Sequence, residues 1–157
     1  MDKDTAIRII TSCAKQYQSI LENRNFLFVF EQEDNMSDYF ECVCLSRHFL
    51  HLTGVDVLNS QVRSSERFYE RCVTGQLRKT DFAVVYNTDK KLNILSAAMN
   101  IYKTAKMTGR YSFCKRDLVT DILVGGVSFC LGFDKVDSYY FPNTVLKEDI
   151  RNLVIKH

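Results

Sequence analysis

The stretch Arg47-His48-Phe49-Leu50-His51-Leu52-Thr53-Gly54-Val55 decides how this chain is read. Taken as extended, it alternates. Arg47, Phe49, His51, Thr53 and Val55 fall on one face, and His48, Leu50 and Leu52 on the other. His51 and Thr53 then stand side by side, about 7 Å apart at the usual strand rise. Arg47 shares their face, and Gly54 lets the backbone turn sharply beyond them. A guanidinium, a histidine and a hydroxyl in that order suit the binding and transformation of a phosphate ester. They equally suit an ordinary strand end, so the rest of the chain has to weigh in.

Outward from this stretch, 157 residues are enough for one domain with a real core. The expected organisation is a single unit over 1–157, with an N-terminal helix and hairpin to about 45 and a core over 47–152. A hydrophobic fraction of 46% with only one proline and six glycines points to a globular protein rather than linked modules. The net charge of +2 neither demands nor excludes a nucleic-acid partner, so any basic site must be local. No apolar run approaches the roughly 20 residues that span a bilayer.

Cys13, Cys42, Cys44, Cys72, Cys114 and Cys130 are spread through periodic apolar segments with no secretory signal before them. They read as reduced thiols of an intracellular chain, and Cys42 and Cys44 as small hydrophobes on the strand face of Phe40. No second CxxC or Cys/His cluster completes a zinc site, so neither a metal nor a cofactor is expected.

Ile7, Ile10, Cys13, Ala14, Tyr17 and Leu21 repeat at helical spacing over the first twenty residues, with Asp2 and Asp4 at the N-terminal end. Strands follow at 26–30 and 39–45, joined by a polar turn over 31–38. Ser64 and Ser65 cap a short helix that Gly75 stops. Residues 82–86 read as a short strand. Thr88 opens a helix whose buried positions Leu92, Leu95, Met99 and Tyr102 continue in line to Lys106, with Gly109 as its end. Strand-like segments occupy 111–114, 118–124, 127–133 and 139–141. Helices and strands segregate, so the expected class is α+β, with helices packed on one face of a small, mainly antiparallel β-sheet.

Several phrases occur in an order that resembles a known family: Phe49-Leu50-His51-Leu52-Thr53-Gly54-Val55, Arg67-Phe68-Tyr69-Glu70, Lys91-Leu92-Asn93-Ile94-Leu95, Ala105-Lys106-Met107-Thr108-Gly109, Thr120-Asp121-Ile122-Leu123-Val124-Gly125, Cys130-Leu131-Gly132-Phe133, and Tyr140-Phe141-Pro142-Asn143-Thr144-Val145-Leu146-Lys147-Glu148-Asp149-Ile150-Arg151. The chain is similar to the phage-associated nuclease-like domains grouped with barnase, EndoU, colicin E5/D and RelE. That resemblance covers about residues 47–152. It implies helices on a small antiparallel sheet, metal-independent RNA cleavage, and a place in the cytoplasm of a bacterial host.

Metal-free RNA cleavage needs a base for the ribose 2′-hydroxyl, an acid for the departing oxygen, and cations for the phosphorane charge. Of His48, His51 and His157, His51 has the best neighbours and is the candidate base; a backbone-satisfied histidine is the plainer alternative. His157 reads as a frayed end. Thr53 is a candidate to orient the phosphate, or simply the start of the turn at Gly54. Lys106 is a candidate phosphorane cation, or a partner of the helix C-terminus. Arg47 is a candidate phosphate clamp. Asn143 and Thr144 supply polar groups for a phosphate or a base edge, unless they only make a turn. Tyr140 and Tyr139 can stack on unpaired bases or pack in the core. Asp121 and Asp149 can orient a histidine or serve as caps. Lys90 and Lys91 open a helix at the end unfavourable for cations, which hints at a task.

Two other readings compete. A non-catalytic phage protein that binds a host, defence or antitoxin protein fits the near-neutral charge. An ADP-ribosyl transferase would use His51 and Thr53 with a later acid such as Glu70 or Glu148.

Overall fold

Asp2 starts the first helix: its carboxylate accepts the Thr5 N–H at 2.7 Å, and α1 runs Lys3–Ile20 with Ala6, Ile10, Cys13, Ala14 and Tyr17 buried. The computed structural model describes residues 1–31 and 35–155. Residues 32–34, within the expected polar turn, and His157 lie outside the described residues. Strands β1 (Arg24–Glu31) and β2 (Ser37–Cys44) form the expected hairpin, with Phe28 opposite Phe40. Phe40, Cys42 and Cys44 share the buried face, as their alternation predicts.

The stretch 47–55 departs from its extended reading. A 3-10 turn at Ser46–His48 runs into helix α2, Phe49–Thr53, and Gly54 closes it at φ +70°. Up to Gly54 the buried residues are His48, Phe49, Leu52 and Thr53, a helical stripe rather than an alternating one, and Val55 is buried beyond it. Nine residues with apolar groups both two and three apart satisfy either period. What selects the helix is the core it packs against, and the Leu45 N–H donated to His48 Nδ1 at 3.0 Å fixes its start.

A short sheet pairs β3 (Asp56–Val57) with β4 (Phe82–Ala83), and α3 (Ser65–Val73) is capped by Ser64 and ended by Gly75. Helix α4 (Thr88–Ala98) stops ten residues short of Gly109, and after Met99 and Asn100 a separate turn, α5 (Ile101–Thr104), begins. Lys106 is therefore not the last position of one long helical stripe. It is exposed, and its backbone N–H donates to the Gly125 carbonyl at the mouth of β5 (Met107–Arg110). The remaining strands are β6 (Ile122–Gly125), β7 (Cys130–Val136) and β8 (Tyr139–Leu146). The strand expected at 111–114 reduces to a bridge between Tyr111 and Val154.

The large sheet runs β1-β2-β8-β7-β6-β5, antiparallel throughout except that β2 meets β8 in parallel. It curls, bringing Phe28 of β1 within 5.8 Å of Phe133 of β7, ring to ring. The α-helices bury one face, where Phe40, Val124, Leu131, Phe133 and Val145 join the helical stripes. This is the α+β arrangement expected. On the opposite face Tyr111, Leu123, Cys130, Ile150 and Leu153 make a smaller core.

One topological detail positions the site. β2 and β8 meet in parallel at one pair, Cys42 and Tyr140. The chain then leaves the sheet into the 3-10 turn, so the far half of β8 meets α2 and α4 instead of a strand. Pro142 does not end β8. It sits where the β7 register shifts, opposite Phe133, while Gly132 faces Thr144 and Asn143 is the extra residue of the bulge.

Candidate active site

The far half of β8 is where α2 and α4 converge on the sheet. Thr88, the first residue of α4, donates its hydroxyl to the Gly54 carbonyl at 2.7 Å and accepts the Val85 N–H at 2.9 Å. These bonds tie the start of α4 to the end of α2. One turn later, the Lys91 ammonium donates to Thr144 Oγ1 at 2.6 Å. A Cβ on Gly54 would lie 2.5 Å from Lys91 Cδ, so the lysine runs across a backbone that has no room for a side chain. The positive φ of Gly54 needs glycine for the same position.

Burial pushes Lys91 down from 10.5 to about 8. Its ammonium is thus still mostly charged near neutrality, yet gives up its proton more readily than a surface lysine. His51 lies three residues before Gly54 in α2 and is exposed; Arg47, four residues earlier, is exposed too. Lys91 and Thr144 thus meet beside Gly54, the residue that ends the helix on whose surface His51 is carried, with Arg47 in the turn before it. Lys91 is the residue that candidate selection from sequence missed. Its signal was the cation in the unfavourable first turn of a helix.

Thr53 is a correction. In a helix, residues two apart point about 200° apart, so Thr53 faces away from His51. It is fully buried, donates to the Leu50 carbonyl at 2.7 Å and accepts the Val55 N–H at 3.4 Å, which closes the turn. Asn143 is engaged on every side. It accepts from Thr120 Oγ1 at 3.0 Å and donates to the Val119 carbonyl at 2.8 Å and to Asp134 Oδ2 at 2.9 Å. Its amide holds the bulge that presents Thr144. Burial, then the neighbouring Asp121 charge, raises the Asp134 carboxyl.

Two further candidates lie apart from this cluster. Lys106 precedes the edge strand β5, about three strand spacings or 14 Å from β8. Tyr140 is four residues along β8 from Thr144, about 13 Å away. There its ring meets Phe40 edge-on at 5.2 Å. Asp121 accepts the Lys135 N–H, and Asp149 caps a 3-10 turn and pairs with Arg151.

His48 is a structural histidine. Its ring stacks on Phe141 at 4.9 Å and its Nδ1 accepts from Leu45. Burial, then the charges of Arg47 and His51, lowers it from 6.5 to about 4. A protonated Nδ1 would also point a hydrogen at the Leu45 N–H. Because the folded value is the lower one, the unfolded chain binds the proton first as pH falls. Stability is full above about 6.5 and is lost down to about 4, by at most about 3 kcal/mol. Urea unfolding at both ends of that window should show a smaller loss for His48→Asn than for wild type. Parallel losses would mean that the ring is not the titrating group.

Among the described residues, no three His, Cys, Asp or Glu side chains come together as metal ligands, and no helix is long and apolar enough to cross a membrane. A family model described as phage-Barnase-EndoU-ColicinE5/D-RelE like nuclease4, PBECR4, matches residues 9–156. The chain belongs to this family. The PBECR4 match begins within α1 and takes in the β1–β2 hairpin, reaching beyond residues 47–152, over which the phrases carry the resemblance. Comparison of this PBECR4 chain with curated proteins and with solved structures finds no match.

Proposed function

We propose that this nuclease-like domain cleaves RNA by attack of a ribose 2′-hydroxyl on the adjacent phosphorus, without a metal ion. His51 takes the hydroxyl proton as the O2′–P bond forms. The Lys91 ammonium, held by Thr144, faces the negative charge that builds on the phosphorane, and Arg47 clamps a neighbouring phosphate. As the P–O5′ bond breaks, the leaving oxygen takes a proton from Lys91, a transfer that a lysine near 8 makes more easily than one near 10.5. The observation that carries this reading is the part-buried Lys91–Thr144 pair backed onto Gly54, one turn from His51. The setting it implies is the cytoplasm of a bacterial host.

Purified protein incubated with total RNA in excess chelator should leave 5′-hydroxyl and 2′,3′-cyclic phosphate ends. RNA that stays intact at high protein concentration would overturn the proposal.

One observation favours a second reading, a module that binds a host, defence or antitoxin protein. The outer face of the β1–β2 hairpin exposes Leu27 at 61%, Val29 at 64% and Tyr39 at 66%, more apolar surface than a sheet face left to water usually carries. The transferase reading gains no comparable support, since Glu148 pairs with Lys115 at 2.6 Å.

A further inference from the structure

The curl of the sheet leaves a groove of about 1180 Å³ between the ends of β1 and β2 and the strands β5 to β8. Arg110, Ile122, Lys135 and Tyr140 line it, and the same four continue into an adjoining cavity of about 240 Å³ that Phe113 borders. This region is separate from the Lys91–Thr144 cluster. Arg110 and Lys135 are exposed, and among the described residues neither side chain forms an ion pair, although the Lys135 backbone N–H donates to Asp121, which also borders the smaller cavity; the Lys135 ammonium lies 5.9 Å from the Tyr140 ring centroid.

Phe113 is 65% exposed and sits at φ +58°, a left-handed conformation that a bulky side chain rarely adopts. Its ring leans on Tyr111 at 5.0 Å, leaving the rest to water. An aromatic ring held out at a strained backbone position, beside two exposed cations, is a stacking platform with phosphate-binding groups at its edge. The opposite wall carries Glu31 and Asp38, and Glu41, whose carboxylate is already engaged by the Asn25 amide, stands at its rim. Carboxylates there repel a second phosphate backbone but accept hydrogen bonds from the amino groups of bases. A single strand offers such base edges, whereas a duplex hides them.

We propose that this groove binds one strand of RNA, with phosphates on Arg110 and Lys135 and a base on Phe113. The class of ligand rests on the RNA reading above. The location does not, because it stands on this groove alone.

Fluorescence anisotropy with a labelled, fully 2′-O-methylated single-stranded oligonucleotide tests it, since that probe has no attacking hydroxyl and binding is read without cleavage. The double variant Arg110→Glu, Lys135→Glu should bind at least tenfold more weakly. Two lost phosphate contacts should also reduce the slope of log K against log salt by about 1.4. Phe113→Ala should weaken binding by about tenfold. All three side chains are exposed, and unchanged thermal unfolding would exclude a folding defect. Wild-type affinity in both variants overturns the groove. So does tighter capture of an acidic peptide that the same variants lose, which would assign the groove to a protein partner. If the probe binds as described but unmodified RNA is not cleaved, the catalytic proposal fails and the groove stands.

Discussion

His51→Ala should lower the rate of RNA cleavage by about 10²- to 10⁴-fold, the usual worth of a positioned general base, and leave thermal unfolding unmoved. The two halves of this expectation have different sources. The loss follows from the place of His51 on α2, one turn before the glycine across which Lys91 runs. The unchanged stability follows from its exposure, because removing a side chain that water already surrounds leaves no cavity and no orphaned partner. Initial rates on a defined oligoribonucleotide, with the variant's unfolding curve beside them, measure both. Equal rates in the two proteins would mean that another group accepts the proton, and would return the stretch 47–55 to a purely structural part.

Lys91→Met should separate activity from stability in opposite directions. Cleavage should fall by about 10²- to 10³-fold, as for loss of one preorganised donor to a developing anion. The fold, by contrast, should become about 2 kcal/mol more stable. A lysine held at about 8 instead of 10.5 carries about 3 kcal/mol of unfavourable burial at neutral pH, and losing its bond to Thr144 returns about 1. The sign follows from linkage. The folded value is the lower one, so between pH 10.5 and 8 the unfolded chain holds a proton that the folded chain has released. Wild-type stability therefore rises with pH across that window, and the methionine variant lacks this rise. Urea unfolding near pH 7 and near pH 10 reads both effects. A variant less stable than wild type at neutral pH would show that the ammonium contributes to the fold rather than straining it.

Much of the architecture was legible from residue order. The α1 stripe, the Asp2 and Ser64 caps, the Gly75 stop and the hairpin with Phe40, Cys42 and Cys44 on its inner face are local patterns, each long enough to satisfy only one period. Boundaries were less legible. Leu92, Leu95, Met99 and Tyr102 keep helical spacing across the break at Met99 and Asn100, because α5 resumes at Ile101 and buries the same side. That continuity made Lys106 look like the next step of the stripe. Pro142 misled in the other direction, since a proline normally ends a strand unless a bulge relieves it of a ladder bond.

The candidate site was legible only in part. His51 was singled out for its chemistry from an extended reading, and it stands on a helix instead. Thr144 was one of a pair, Asn143 and Thr144, that sequence could not divide. The bulge divides them, giving Asn143 three internal hydrogen bonds and leaving Thr144 to meet Lys91.

By itself, the order of residues determined the class, the first helix, the hairpin and the histidine worth testing, because periodicity, caps and residue chemistry are properties of neighbours in the chain. Tertiary structure decided whether 47–55 is strand or helix and which lysine faces the hydroxyl. Both depend on contacts between distant segments: Lys91 and Thr144 are 53 residues apart, and they meet because β2 leaves the sheet at Cys44 and opens the far half of β8 to two helices.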